Sequence, residues 1–181
     1  RFYSLRSNAV TVQTATPVTT PVNLRTSSFT TDAITVAWDR NTYANGYQVR
    51  WRRAGTTAWT VLPSSTTYLP VDTTVQSVGG LLDAELYEFQ VRGSNNSTSS
   101  PILSEWSASH AQRTRPTPPV NLALVSRSAT EVSLRWTPTS TRATHIRVQR
   151  SGDAGVTWTT MRDIYSPSTA PDTTYTTVAN D

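Results

Sequence analysis

A stretch of sequence that returns at a fixed interval restricts a chain to successive copies of one structural unit, and this chain has such an interval. Pro21-Val22-Asn23-Leu24 returns as Pro119-Val120-Asn121-Leu122, a displacement of 98 residues. Ile34-Thr35-Val36-Ala37-Trp38 returns as Val132-Ser133-Leu134-Arg135-Trp136, again at 98. Ala58-Trp59-Thr60 pairs with Thr157-Trp158-Thr159 at 99. Further on, Thr66-Thr67-Tyr68 is matched to Thr173-Thr174-Tyr175 at 107, which places eight further residues in the loop between. Ser7 to Thr14 lines up with Ser107 to Thr114 as a third, partial copy. The repeat divides the chain into the last strand of a preceding unit (1–16), a complete unit (17–115) and a second, incomplete unit (116–181) that lacks its last two strands.

Inside the complete unit the apolar residues alternate with polar ones, the period of a strand with one face buried. Ile34, Val36 and Trp38 point one way; so do Tyr47, Val49 and Trp51, and Tyr87, Phe89 and Val91. Turn-forming stretches separate these runs: 41–46, 63–67, Gly79-Gly80 and 94–101. Short strands at this spacing, with no helical period, predict two packed antiparallel sheets.

Together these features resemble the fibronectin type III family across the whole complete unit. A Pro-x-x-Leu first strand, a second strand ending in Trp38 and the strand Tyr47 to Trp51 all fit. Gly80-Leu81 followed by Tyr87 resembles the family's tyrosine corner, and Ser104-Glu105-Trp106-Ser107 precedes the last strand. Asp83 and Glu85 stand where the family usually has Pro and Thr. The second unit matches through Pro119, Leu122, Trp136, Ile146, Val148, Trp158 and Tyr175. The expected fold class is therefore all-β: tandem immunoglobulin-like (fibronectin type III) antiparallel β-sandwiches. The absent last strands have two readings. The preferred one is a chain that continues beyond Asp181; the other is a strand donated by a second subunit, for which Ala9-Val10-Thr11-Val12 has a suitable pattern.

Few chemical functions are compatible with the composition. There is no Cys, which removes disulfides and thiolate metal sites. No run of 18 apolar residues is present to insert into a membrane. His110 and His145 are far apart, and His110 is expected at the sheet or its rim. Asp72, Asp83 and Glu85 fall in neighbouring loops, where solvated carboxylates are the default reading and a weak Ca²⁺ site the alternative. No Gly-x-Ser-x-Gly elbow, phosphate loop or nominated carboxylate pair occurs, so no catalytic, cofactor or metal residues are assigned. All 16 basic residues are Arg, but they are spread along the chain, which argues against nucleic-acid binding.

Trp38 and Trp136 are expected in cores, Trp51 on the inward phase of its strand, and Trp59 and Trp158 packed at matched positions. Trp106 is the most accessible, laid against Arg50, Arg52 or Arg92 in cation–π contacts. Trp106, Arg50, Arg52 and Arg92 are thus the residues nominated for surface contact.

The resemblance implies a non-catalytic spacer or adhesion array whose partners are adjoining modules, other protein subunits or surface carbohydrate. Its setting would be extracellular, on a cell surface or on a virion. The Lys-free, Cys-free composition resembles prokaryotic and bacteriophage members, which favours a tail fibre or bacterial envelope protein. The alternatives are an accessory array of a secreted polysaccharide-degrading enzyme and an animal-type adhesion or receptor ectodomain. The overlapping glycosylation sequons in Asn95-Asn96-Ser97-Thr98 bear on the last of these.

Overall fold

In the computed structural model, residues 17–95 and 101–165 are described, together with the backbone of 173–178. The proposed strand donor at residues 9–12 and the sequon residues 96–98 lie outside the described residues. The described regular structure consists of β-strands, as the period-two pattern predicts.

The first group of strands begins with β1 (Arg25–Phe29), β2 (Ile34–Ala37), β3 (Gly46–Arg53), β4 (Thr60–Leu62) and β5 (Leu69–Pro70). It continues with β6 (Val75–Val78), β7 (Leu86–Asn95), β8 (Ile102–Leu103) and β9 (His110–Arg113). One sheet has the order β1-β2-β6. The other runs β4-β3-β7-β8, with β5 also on β3 and β9 also on β7. All of these pairings are antiparallel. The longest pairing is β3 with β7, in unbroken register from Gly46 opposite Ser94 to Arg53 opposite Tyr87.

The alternation read from the sequence becomes the core between these sheets. Ile34, Val36, Trp38, Tyr47, Val49, Tyr87, Phe89 and Val91 are all buried there. Trp51 is half-buried and meets Tyr87 edge-on, while Trp38 meets Tyr47 in the same way. The Tyr87 hydroxyl accepts the Leu82 N–H at 2.9 Å, which closes the tyrosine corner. His110 is half-buried at the sheet rim, where its Nε2 lies 2.9 Å from the Thr26 hydroxyl of the facing sheet.

The second group contains β10 (Val120–Arg127), β11 (Glu131–Thr137), β12 (His145–Arg150), β13 (Thr159–Tyr165) and β14 (Thr173–Val178). It forms the sheets β10-β11-β14 and β12-β13. The recurrence of Pro-Val-Asn-Leu has a backbone cause. Asn23 and Asn121 both adopt φ of 57°, a left-handed conformation that Asn tolerates better than most residues.

The pairing of β14 corrects one of the sequence matches. Tyr175 faces Leu134 on β11, just as Gln76 faces Val36 on β2, so its counterpart is Gln76 at a displacement of 99. Tyr68 instead leads into β5 on the opposite sheet. No eight-residue insertion is needed, because the displacement stays at 98 to 99 throughout. The mismatch arose because Thr-Thr pairs occur at 66–67, 73–74 and 173–174, and short Thr-rich words carry little register information.

Among the described residues, no strand of the second group takes the place that β7 holds in the first. Leu122, Leu134, Trp136, Ile146 and Val148 line an open cavity of about 550 Å³. Leu122 is 70% exposed there, whereas its counterpart Leu24 packs against the first core.

Residues 17–115 expressed alone are expected to unfold in a single cooperative transition, since that segment contains both sheets and the buried cluster between them. Within it, Trp38→Ala is expected to cost about 3–5 kcal/mol by emptying a fully buried site. Tyr87→Phe is expected to cost about 0.5–1.5 kcal/mol by removing one hydrogen-bond acceptor. Urea denaturation measures both, and a Trp38→Ala loss below about 1 kcal/mol would contradict its burial.

Candidate functional site

The outer face of the β4-β3-β7-β8 sheet carries the residues nominated from the sequence. Successive side chains of a strand point to opposite faces, so the phase that buries Tyr47, Val49 and Trp51 turns Gln48, Arg50 and Arg52 outward. The same phase on β7 turns Glu88, Gln90 and Arg92 outward. The register then sets Gln48 opposite Arg92, Arg50 opposite Gln90 and Arg52 opposite Glu88. Each arginine meets an acceptor directly across the strand pair. Arg50 Nε donates to Gln90 Oε1 at 2.7 Å, and Arg92 Nε donates to Gln48 Oε1 at 2.9 Å. Arg52 Nε donates to Glu88 Oε2 at 2.7 Å. Gln48 is fully buried, and its Nε2 donates to the carbonyls of Ser64 and Thr67 at 2.8 and 2.9 Å, which aims its oxygen at Arg92.

Trp106 reaches this face because two serines interrupt the edge strand. Between β8 and β9, the N–H groups of Gly93 and Val91 donate to Ser104 Oγ at 3.0 Å and Ser107 Oγ at 3.1 Å. The N–H groups of Ser104 and Ser107 donate in return to the carbonyls of Gly93 and Val91. The edge of β7 therefore stays paired while Glu105 and Trp106 loop out over the sheet. Gln90 Nε2 donates to the Ser107 carbonyl at 2.9 Å, which ties the loop to the same row of side chains.

The result is a stack in the order Arg52, Trp59, Arg50, Trp106, Arg92. Arg52 lies 4.3 Å and Arg50 4.5 Å from the Trp59 ring centre. Arg50 and Arg92 lie 4.3 and 4.4 Å from that of Trp106. Burial between the indoles holds the Arg50 guanidinium below the usual arginine range, and the charges of Arg92 and Arg52 add to the effect. Burial lowers Arg92 as well. Both stay charged at neutral pH, since a guanidinium needs a far larger shift to lose its proton.

Trp106, Arg50, Arg52 and Arg92 are thus brought together as the sequence suggested, with Arg52 touching Trp59 rather than Trp106. Trp59 itself was assigned only a packing role, and the signal that could have found it is the pairing of Val61 with Arg50, which carries it over the arginines. The matched tryptophan of the second group behaves differently. Trp158 is 58% exposed, contrary to the expected packing, and its Nε1 donates to the Gly155 carbonyl at 3.1 Å. The physical reason is its neighbours: at the displacement of 99, Gln149 and Ser151 stand where Arg50 and Arg52 stand, so no guanidinium pair clasps the indole.

Of the loop carboxylates, Asp72 is largely solvated, while Asp83 and Glu85 are mostly covered. Asp72 pairs with Arg40, Glu85 with Arg53 and Arg142, and Asp83 with Arg142. Among the described residues no group of three His, Asp or Glu side chains is placed to hold a metal ion. Among the described residues no helix long and apolar enough to cross a membrane is present.

In overall course the chain is similar to a two-domain fibronectin type III segment from chicken tenascin. That similarity covers 88% of this chain and 82% of that one, with a TM-score of 0.53 and 17% sequence identity. A computationally redesigned β-sandwich protein aligns over 54% of this chain and 91% of its own, with a TM-score of 0.44 and 18% identity. No protein-family model and no curated protein matches the sequence. With the two packed antiparallel sheets, the tenascin likeness defines the class as the fibronectin type III-like β-sandwich, and at 17% identity it speaks for the fold alone.

The stack predicts its own mutational order. Arg50→Met keeps the stem but removes the charge held between two indoles, and is expected to cost about 1–2 kcal/mol at about 0.5–1 kcal/mol per contact. Arg92→Met removes one such contact but also strips the buried Gln48 Oε1 of its donor, which adds about 1–3 kcal/mol, so it is expected to cost at least as much as Arg50→Met. Guanidinium is unsuitable as the denaturant because it competes for the indoles, so urea curves decide. A loss below about 0.5 kcal/mol for Arg50→Met would contradict the stack as a source of stability.

Proposed function

We propose that this chain is a non-catalytic spacer and adhesion segment, built from consecutive fibronectin type III-type units, of an extracellular or virion surface protein. A bacteriophage tail fibre or a bacterial envelope protein is the favoured setting. A module of this fold serves a structural or adhesive role through its shape and its faces.

The observation that carries the reading is how the ladder spends its chemistry. Three arginines and two tryptophans stack there on the outer face of one sheet. Each arginine is already engaged by an acceptor across the strand pair and by at least one indole. Such an arrangement stiffens a sheet face and leaves little capacity for tight capture of a small ligand. The repeat interval and the short link at 115–119, with prolines at 116, 118 and 119, support a row of units rather than a single enlarged domain.

Titration of the whole chain with neutral and sulfated oligosaccharides and with nucleic acids, at physiological salt, tests the proposal. Weak binding that fades as salt rises is expected. Saturable submicromolar binding to any of these, or turnover of a polysaccharide, would overturn the spacer reading.

A further inference from the structure

The two positions that depart from the family pattern, Asp83 and Glu85, lie at the end of the first group of strands that faces the second. Their loop is held rigidly from several sides. The Tyr87 hydroxyl accepts the Leu82 N–H, and the Thr114 hydroxyl donates to the Leu82 carbonyl at 2.6 Å. The Glu85 N–H donates to Thr114 Oγ1 at 3.0 Å, and the Ala84 N–H to the Arg115 carbonyl at 3.2 Å. Arg113 Nη1 donates to the Ala84 carbonyl at 2.6 Å. The two carboxylates therefore project from a fixed platform, and both are more than four-fifths buried.

The second group approaches this platform through the loop between β11 and β12. Arg142 stands 3.6 Å from an oxygen of Asp83 and 3.6 Å from one of Glu85, and Arg53 completes the cluster at 2.9 Å from Glu85. Ser140 is buried and accepts the Arg142 and Ala143 N–H groups at 3.3 and 3.0 Å, which leaves its hydroxyl proton for Asp83. The link is engaged as well. From 116 to 119 only Thr117 has a backbone N–H, and it donates to Asp83 at 3.1 Å. The Thr139 hydroxyl donates to the Pro118 carbonyl at 2.7 Å. The Asp83 carboxyl is held below the usual carboxylate range, first by the Ser140 bond and then by the Thr117 N–H.

We propose that Asp83, Glu85 and Arg142 form a clasp that locks the joint at 115–119, so that the following unit is carried at one preset angle. The clasp rests on the reading of the chain as consecutive units and supplies the device by which a spacer keeps its direction. Its partner is specific: a following sandwich with a serine and an arginine, two residues apart, in the loop after its second strand. A joint held only by its prolines would resist shortening but leave rotation free.

The absence of Cys makes the test clean, because two introduced thiols are the only ones present. Thr57→Cys and Val156→Cys place spin labels on exposed loops of the two groups, and pulsed electron resonance reads the distance between them. The otherwise unaltered chain is expected to give one narrow peak. Arg142→Ala or Asp83→Asn is expected to abolish that peak in favour of a broad spread. Arg142→Lys, which keeps the charge, is expected to retain most of it.

A peak equally narrow in Arg142→Ala and in Asp83→Asn, or a broad spread before any change, would overturn the clasp and leave the unit reading intact. Loss of the cooperative melting transition of residues 17–115 when they are expressed alone would instead strike the unit reading.

Discussion

The pairing of β3 with β7 is the constraint on which the rest of this protein depends. Eight consecutive residue pairs in unbroken register place Tyr47, Val49, Phe89 and Val91 inward and Gln48, Arg50, Arg52, Glu88, Gln90 and Arg92 outward. A slip of one residue would exchange the two sets, burying three arginines and exposing the core. The inner face holds the sheets together by removing apolar surface from water, and the outer face holds register through cross-strand polar pairs and stacked rings. Core and ladder are two consequences of the same alignment.

The ladder also manages a problem that sandwiches share. The edge of β7 needs partners along its full length, yet the last strand is broken between β8 and β9. Two serines three residues apart restore the missing hydrogen bonds with hydroxyl and backbone groups together, and free a tryptophan to cover the arginines. Half-buried guanidiniums are costly unless paired, and here each has both an acceptor and an aromatic face. At the far end, the tyrosine corner fixes the loop from which Asp83 and Glu85 reach the second group. Anchoring at one residue thus has an effect beyond its own sheet.

The second group sets the same pattern in different surroundings. Leu134, Ile146 and Val148 keep the apolar identity of Val36, Tyr47 and Val49, but line a cavity instead of a filled core. Trp158 keeps the identity of Trp59, but without arginines beside it the ring stands in solvent. Residue identity at a repeated position does not carry its environment along; the environment comes from strands and side chains elsewhere in the chain.

By itself the sequence determined the strands, their inward and outward phases, the fibronectin type III-like architecture, the core position of Trp38 and the tyrosine corner. These are legible because alternation and corner spacing are local patterns that a strand or turn imposes on its own residues. It also brought Trp106 to Arg50 and Arg92, since these lie on one outward phase of the sheet. Only the tertiary structure decided that Trp59 joins the stack, that β14 pairs as β6 does, and that Asp83 and Glu85 meet Arg142. Each of these depends on which edge a distant segment takes and on contacts between residues tens of positions apart. Short-range pattern carries no record of such pairings, because many partners satisfy the same local alternation and only the packed whole selects among them.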